Sequence, residues 1–183
     1  DSVSVTGAYE YTLFPGKETV MKVRSTLFVR QDIRKLGIAP LTSMFCYGEN
    51  SGSRGDRDFR PEVHDSDGLL LSSGSGEWLW HPLVNPQRLL INAFSGLPSG
   101  FGLLQRGIDF RDYQDLEARY EQRPSVWVKP QGDWGKGHVE LIQIPTETEY
   151  NDNVVAYWVP ERAFKAGDTV QYAYTLSWHS ARI

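Results

Sequence analysis

Apolar and polar residues alternate along many short segments of the chain, and this two-residue period is the strongest constraint on its fold. Between Val3 and Leu13 the large apolar side chains hold odd-numbered positions, and between Val170 and Trp178 they hold even-numbered ones. Side chains two residues apart point to the same face of a β-strand, so each segment is typical of a strand with one buried face. Further extended segments lie at Thr19–Arg30, Leu41–Tyr47, Leu69–Ser72, Glu77–Leu83, Leu89–Phe94, Phe101–Arg106, Ser125–Lys129, His138–Ile144 and Val154–Val159.

Glycine and proline recur between these segments, with 17 and 10 copies along the chain. Many short strands separated by turn residues predict an all-β fold built as an antiparallel β-sandwich. One segment departs from this pattern. In Asp109–Tyr120 the large apolar side chains follow one another at spacings of three and four, which predicts a helix.

Length and charge exclude several classes of protein. The 183 residues suffice for about one domain with its own core. The net charge of −4 and the lack of a basic run argue against binding to nucleic acid or directly to an anionic membrane. A single cysteine excludes an internal disulfide and a thiolate-based zinc cage.

Familiar cofactor motifs are incomplete in this sequence. The Gly135-Lys136 pair is followed by glycine instead of serine or threonine, so it does not form a phosphate-binding loop. The four histidines are scattered, and no pair has a spacing diagnostic of a metal site. We therefore expect neither a metal nor another cofactor.

Carboxylates and aromatic residues are the chemistry that remains. Asp65 and Asp67 lie in one polar segment, and Glu147, Glu149 and Asp152 lie in another. Sugars present hydroxyl groups and apolar C–H faces, so sugar sites combine aromatic side chains with carboxylates, amides and arginine. Cleavage of a glycosidic bond needs two carboxyl groups, one to protonate the leaving oxygen and one to activate water. The composition favours a carbohydrate-active β protein only weakly, since a structural domain would have similar features.

Six long motifs carry a more specific signal. They are APLTSMFCYGEN (Ala39–Asn50), RPEVHDSDGL (Arg60–Leu69), FGLLQR (Phe101–Arg106), YQDLEARYEQRPSVWVKP (Tyr113–Pro130), GDWGKGHVELIQIPT (Gly132–Thr146) and NDNVVAYWVP (Asn151–Pro160). In content and order they resemble the periplasmic glucan biosynthesis proteins, the OpgG/OpgD or MdoG family. The resemblance spans most of the chain from Lys35 onward.

The resemblance implies a fold, a location and a substrate. Members of this family have a large domain similar to the galactose-mutarotase supersandwich, followed by an immunoglobulin-like domain. Residues 1–183 would form the C-terminal portion of the large domain, so we expect further strands upstream and the immunoglobulin-like domain downstream. The implied setting is the periplasm, the implied partner is a β-1,2-linked glucan, and a homodimer is compatible with it.

The resemblance also assigns roles residue by residue. Asp152 in the NDN motif matches the general acid of an inverting endo-β-1,2-glucanase, and the DSDG motif matches the side that activates water. Either Asp65 or Asp67 would fill that second role, with Asp65 preferred. The resemblance matches Tyr120 and Arg123 to substrate-contacting positions and Glu149 to a carboxylate close to the acid. Trp134 and Lys136 complete the predicted substrate-binding residues, without a matched family role. A general acid must stay protonated near neutral pH, so we expect Asp152 to be partly buried or to lie beside a negative charge such as Glu149.

Three details leave the function open at this point. Asn151 and Asn153 would orient the Asp152 carboxyl, although the same residues would also suit a simple turn. Gly107 stands where family members often have aspartate, which lowers the expected turnover. Besides hydrolysis, the motifs are compatible with a non-catalytic glucan-binding module and, less well, with a mutarotase-like enzyme that acts on free sugars.

Overall fold

The described part of the chain, residues 2–51, 58–96 and 98–180 of a computed structural model, contains thirteen β-strands and very little helix. The strands are β1 (Val5–Phe14), β2 (Thr19–Val29), β3 (Ile38–Ser43), β4 (Phe45–Tyr47), β5 (Val63–His64), β6 (Gly68–Ser73), β7 (Trp78–Pro82), β8 (Leu90–Ser95), β9 (Pro98–Leu104), β10 (Ser125–Gln131), β11 (Gly137–Gln143), β12 (Val154–Pro160) and β13 (Thr169–His179). No helix among these residues is long and apolar enough to cross a membrane.

Two antiparallel sheets of unequal size form the sandwich. The larger sheet has seven strands in the order β1-β2-β13-β10-β9-β6-β7, and the smaller has four in the order β3-β12-β11-β8. The short strands β4 and β5 pair with each other as a separate ribbon. The predicted all-β antiparallel sandwich is therefore confirmed.

The core lies between the two sheets. Val23, Phe101 and Leu69 of the larger sheet and Leu141 and Trp158 of the smaller sheet are almost completely buried in one hydrophobic cluster. Burial of a large apolar side chain contributes roughly 1.5–3 kcal/mol, so this cluster is the main stabilising feature of the fold.

The larger sheet extends beyond the smaller one. Tyr11 pairs with Val23, so both side chains face the same side of the sheet, yet Val23 is buried while Tyr11 is 60% exposed. Tyr9 and Leu13 of the same strand are exposed as well. The face of β1 that should be buried therefore has no covering layer among the described residues.

The predicted helix at Asp109–Tyr120 is wrong beyond its first turn. Helix α1 spans Phe110–Tyr113 and begins with a capping box at Asp109. It ends at Gln114, which adopts a left-handed conformation with φ of 54°. Tyr113 and Tyr120 are both buried, and their rings pack 5.9 Å apart. The apolar spacing in this segment therefore reflects the packing of these rings and not a continuous helix.

The predicted strand Leu41–Tyr47 is divided in two. Strand β3 ends at Ser43, and β4 begins at Phe45 and pairs with β5. The side chain of Asn153 accepts a hydrogen bond from the Phe45 N–H at 2.8 Å and donates to the Phe45 carbonyl at 3.0 Å. This side chain takes the place of a neighbouring strand, so the chain leaves the smaller sheet here.

Candidate functional site

The candidate site lies at one end of the sandwich, where segments from both sheets meet. The DSDG segment precedes β6, the segment around Tyr120 precedes β10, and the NDN segment precedes β12. The Asp65 N–H donates to the Met44 carbonyl at 2.8 Å, and the Asn153 N–H donates to the Ser43 carbonyl at 3.1 Å. Both segments are thereby attached to the junction between β3 and β4.

Asp65 and Asp152 lie within electrostatic range of each other. Burial raises the pKa of the Asp65 carboxyl, the Arg123 guanidinium opposes that shift, and the charge of Asp152 adds to it. The Nε atom of Arg123 lies 3.3 Å from Oδ1 of Asp65. The structure therefore places Arg123 in contact with Asp65 and the charge of Asp152 within range of it.

Asp67 has a different environment. Its Oδ2 atom accepts hydrogen bonds from the backbone N–H groups of Arg106 at 2.5 Å and Gly107 at 3.3 Å. The Asp67 backbone N–H donates a hydrogen bond to the Leu104 carbonyl, and its carbonyl accepts one from the Leu83 N–H. These bonds hold the DSDG turn against the end of β9, so the geometry favours Asp65 over Asp67 as the residue that faces Asp152.

Tyr120 and Arg123 lie together beside Asp65. Tyr120 is only 3% exposed, and the Arg123 guanidinium lies over its ring at 5.8 Å. Burial raises the pKa of the Tyr120 hydroxyl far above its usual range, and the charges of Glu149 and Asp65 raise it further. The hydroxyl is therefore a hydrogen-bond donor at any physiological pH, close to both carboxylates.

Arg60 is a central site residue that the sequence analysis missed. Its guanidinium contacts Asp58 at 2.7 Å, Asp115 at 2.6 Å and Glu149 at 2.8 Å. These three carboxylates come from segments that are distant in the chain. In the sequence, Arg60 lies next to a charged loop, where an arginine is usually exposed to solvent. Only the fold shows that it forms ion pairs with these three carboxylates.

The NDN segment corrects two expectations. Asn153 is buried, and its amide bonds the backbone of Phe45 and the Ile144 carbonyl, so it is not available to orient the Asp152 carboxyl. Glu149 is paired with Arg60. Asp152 itself is exposed, which contradicts the expected partial burial, and Asp65 lies within range of its charge.

Trp134 and Lys136 lie away from this group. They precede β11 at Gly137, which pairs with Pro160 at the end of β12 farthest from Asp152. A seven-residue strand is roughly 20 Å long. Trp134 is buried, and its indole N–H donates to the Ala173 carbonyl at 3.0 Å. The structure therefore does not support the prediction that these two residues bind substrate in the same site as Asp152.

Gly107 fits tightly at the edge of the site. A Cβ atom there would lie 2.8 Å from the Tyr113 hydroxyl and 3.2 Å from Oδ2 of Asp112. The Tyr113 hydroxyl donates to the Gly107 carbonyl at 3.1 Å. Glycine at this position thus accommodates the tyrosine, and none of these contacts involves Asp65 or Asp152.

Two hollows flank the β4–β5 ribbon. One of about 320 Å³ is lined by Arg60, Glu149, Tyr150 and Asn85 among others. The second, of about 430 Å³, is lined by Glu62, Asp67 and Gly107 among others. The first has the mixed carboxylate, amide and aromatic lining that sugars require. Beside the second, Glu62, His64 and Asp67 each offer one potential ligand atom, and these atoms lie within 4.8 Å of one another.

Comparisons with known proteins agree with the motif evidence. The model of the family "Periplasmic glucan biosynthesis protein, MdoG" matches residues 1–183. Glucans biosynthesis protein G of Pseudomonas paraeruginosa is 53% identical over 179 residues, which is 97% of this chain and 34% of that protein. Glucans biosynthesis protein G of Pseudomonas aeruginosa strain LESB58 has the same identity and coverage. The chain thus spans about a third of the length of these relatives.

Proposed function

We propose, since the chain belongs to the periplasmic glucan biosynthesis protein family MdoG, that it acts in the periplasm on a β-1,2-linked glucan as an inverting endo-β-1,2-glucanase. The observation that carries this proposal is that the segments of Asp65 and Asp152, distant in the chain, are both hydrogen-bonded to the β3–β4 junction, with the charge of Asp152 within range of Asp65. Two opposed carboxyl groups are the minimum that acid–base cleavage of a glycosidic bond needs.

Asp152 is the proposed general acid. It is exposed at the rim of the site, where it can reach the oxygen of a bound glycosidic linkage. As the bond between the anomeric carbon and this oxygen breaks, the bonding electrons pass to the oxygen, which takes the proton of Asp152.

Asp65 is the proposed residue on the side that activates water. A water molecule attacks the anomeric carbon from the face opposite the leaving group and transfers a proton towards Asp65, directly or through a relay. The net reaction consumes one water and inverts the anomeric configuration. Burial raises the pKa of Asp65, and Arg123, 3.3 Å away, opposes that rise because a nearby positive charge favours the carboxylate form.

Tyr120, Arg123 and Glu149 are the proposed substrate-binding residues. The Tyr120 hydroxyl and the Arg123 guanidinium are donors for sugar oxygens, and the Glu149 carboxylate is an acceptor for sugar hydroxyls. Arg60 holds Glu149 in place through the 2.8 Å ion pair. These groups distinguish a sugar chain by its hydroxyl pattern and leave proton transfer to the two aspartates.

The chain is proposed to be the C-terminal portion of a larger glucan-binding domain. It spans 34% of the length of its relatives, and the exposed face of β1 supports the presence of additional covering strands. An uncovered, apolar sheet face at an edge is otherwise a site of aggregation.

A non-hydrolytic glucan-binding role is the second candidate. Asp152 is exposed, and an exposed carboxylate can accept hydrogen bonds from sugar hydroxyls without transferring a proton. In this case the same residues would bind a glucan during its synthesis or branching without cleaving it.

The deciding experiment uses the full-length parent protein and linear β-1,2-glucan. Product sizing and polarimetry follow the reaction of the wild type and of Asp152→Asn, while calorimetry measures glucan affinity. We expect the wild type to release oligosaccharides and Asp152→Asn to bind glucan but to lose cleavage by about 10²–10⁴-fold.

Asp133→Asn is the matched control, because Asp133 is an exposed aspartate at the opposite end of β11 and β12. It should cleave like the wild type. Undiminished cleavage by Asp152→Asn would refute the acid assignment. Glucan binding without release of oligosaccharides by the wild type would favour the binding role.

A further inference from the structure

The cluster of Glu62, His64 and Asp67 has a geometry that glucan hydrolysis does not explain. The His64 ring is fully buried, stacked on Phe45 at 5.3 Å and in edge contact with Tyr113 at 5.2 Å. Its Nε2 atom lies 2.7 Å from Oε2 of Glu62 and 3.6 Å from Oδ1 of Asp67. The ring therefore cannot rotate away, and Nε2 stays directed at two carboxylates.

Gln105 determines which nitrogen of His64 carries a proton. The Gln105 side-chain N–H group donates to the Tyr120 carbonyl at 3.1 Å, so the amide oxygen points the other way, 3.0 Å from Nδ1 of His64. An amide oxygen only accepts hydrogen bonds, so Nδ1 is the donor. The other ring nitrogen, Nε2, is then the one that faces Glu62 and Asp67. A histidine whose second nitrogen donates to an oxygen in this way is the usual arrangement of a metal ligand.

Asp67 is oriented in the same manner. The backbone N–H groups of Arg106 and Gly107 bind its Oδ2 atom, which leaves Oδ1 directed at His64. Hydrogen bonds to residues outside the cluster thus orient the His64 and Asp67 side chains before any ion binds. Such outer bonds are a regular feature of metal sites, because they reduce the cost of ordering the ligands.

The spacing of the three atoms fits a small divalent cation. Bonds of about 2.0–2.2 Å at near-tetrahedral angles place ligand atoms roughly 3.3 Å apart. The two separations from His64 Nε2, 2.7 Å to Glu62 and 3.6 Å to Asp67, lie on either side of that value, and all three atoms lie within 4.8 Å of one another. The adjoining hollow of about 430 Å³ has room for water ligands and is also lined by Glu49 and Asp112. Among the described residues, four carboxylate residues line this hollow, whereas Arg106 is the one positively charged residue in its lining.

We infer that Glu62, His64 and Asp67 form a binding site for a divalent transition-metal cation such as Zn²⁺ or Mn²⁺. One imidazole nitrogen and two carboxylate oxygens suit these ions better than Ca²⁺, which takes oxygen ligands. The bound ion would link β5, where His64 lies, to the turn before β6, where Asp67 lies, within the segment that also carries Asp65. This inference does not depend on the proposed function.

The experiment is a titration of the EDTA-treated full-length protein, without glucan, with ZnCl₂, MnCl₂ and CaCl₂ followed by calorimetry. We expect one Zn²⁺ or Mn²⁺ per chain, weaker binding of Ca²⁺, and a rise in the melting temperature with the bound ion. Glu62→Gln and Asp67→Asn should each lower the affinity by about tenfold or more.

Both variants preserve side-chain volume, and thermal unfolding of each metal-free variant shows whether it is folded. Glu49→Gln is the control, since Glu49 lines the same hollow outside the cluster. It should change the affinity by no more than about fivefold. Absence of saturable Zn²⁺ and Mn²⁺ binding to the wild type would overturn the inference, and so would binding that is unchanged in both Glu62→Gln and Asp67→Asn. In that case the cluster is a buried ion pair with a proton on Nε2.

Discussion

The Arg60 guanidinium and the Glu149 carboxylate form an ion pair of 2.8 Å that joins the segment before β5 to the segment before β12. The same guanidinium contacts Asp115, which accepts backbone hydrogen bonds from Glu117 and Ala118. Arg60 thereby connects three loops that surround the candidate site, although none of them is adjacent in sequence to another.

We expect Arg60→Ala to destabilise the protein by about 1–3 kcal/mol, because partly buried Asp115 and Glu149 would lose their positive partner. It should also weaken glucan binding, since Glu149 would no longer be fixed. Urea denaturation and calorimetry with β-1,2-glucan measure the two effects. Arg111→Ala is the matched control, as Arg111 forms an exposed ion pair with Asp109. Equal effects of the two substitutions would show that Arg60 has no special role.

Asn153 and Asn151 flank Asp152 but should respond differently to substitution. Asn153→Ala removes three hydrogen bonds, of which the two to Phe45 are buried, and leaves backbone groups without these partners. We expect a loss of about 2–4 kcal/mol in the free energy of unfolding. Asn151 is exposed, and Asn151→Ala should stay within about 0.5 kcal/mol of the wild type. Chemical denaturation of both variants tests this, and similar losses would contradict the buried role of Asn153.

Glu140 makes stability depend on pH. Burial by itself raises the pKa of this carboxyl, but hydrogen bonds from Lys35 and Tyr157 outweigh burial and lower the pKa below its usual value. A lowered pKa means that the folded state holds the charged form more strongly than the unfolded state does. The stabilisation is therefore present above the unfolded pKa of about 4.3 and is lost as the pH falls through the lower folded pKa.

We expect the wild type to be more stable than Glu140→Gln at about pH 6, with the difference shrinking below about pH 4. Unfolding free energies measured across this range test the prediction. A difference that stays constant with pH would show that the charge of Glu140 contributes nothing to stability.

Tyr11 tests the proposal that further strands cover β1. Tyr11→Ala in the full-length parent should cost more than about 1.5 kcal/mol if a covering layer buries this ring. Tyr150→Ala is the control, because Tyr150 is 87% exposed in the candidate site region. Tyr150→Ala should cost no more than about 0.5 kcal/mol. Equally small losses for both variants would argue against a covering layer over Tyr11.

The strand pattern could be predicted from the sequence because it follows from local alternation. The segments that became β2 and β13 were predicted almost to their ends, since both keep one buried face along their length. The exposure of Tyr11 could not be predicted, because it depends on how far the opposite sheet extends. The helix at Asp109–Tyr120 failed for a similar reason, as Tyr113 and Tyr120 pack in one buried cluster with Met44 and Val63, which are distant in sequence.

The candidate site was predictable only where the motifs named it. The resemblance led to Asp65 and Asp152, and the fold groups them. Trp134 was selected as an aromatic residue, but its indole is part of the core beneath Tyr172 and Tyr174. Arg60 and His64 escaped notice because a charged residue in a loop and an isolated histidine acquire meaning only from their tertiary partners.

The central claim is that Asp65 and Asp152 act together on one linkage, and a double-mutant cycle tests it most directly. The turnover number on linear β-1,2-glucan is measured for the full-length Asp65→Asn, Asp152→Asn and doubly substituted proteins. Each single substitution is predicted to lower turnover by about 10²–10⁴-fold. Residues that act as a unit are strongly non-additive, so the double variant should be about as slow as the slower single variant. Wild-type turnover in either single variant, or losses that multiply in the double variant, would contradict the claim.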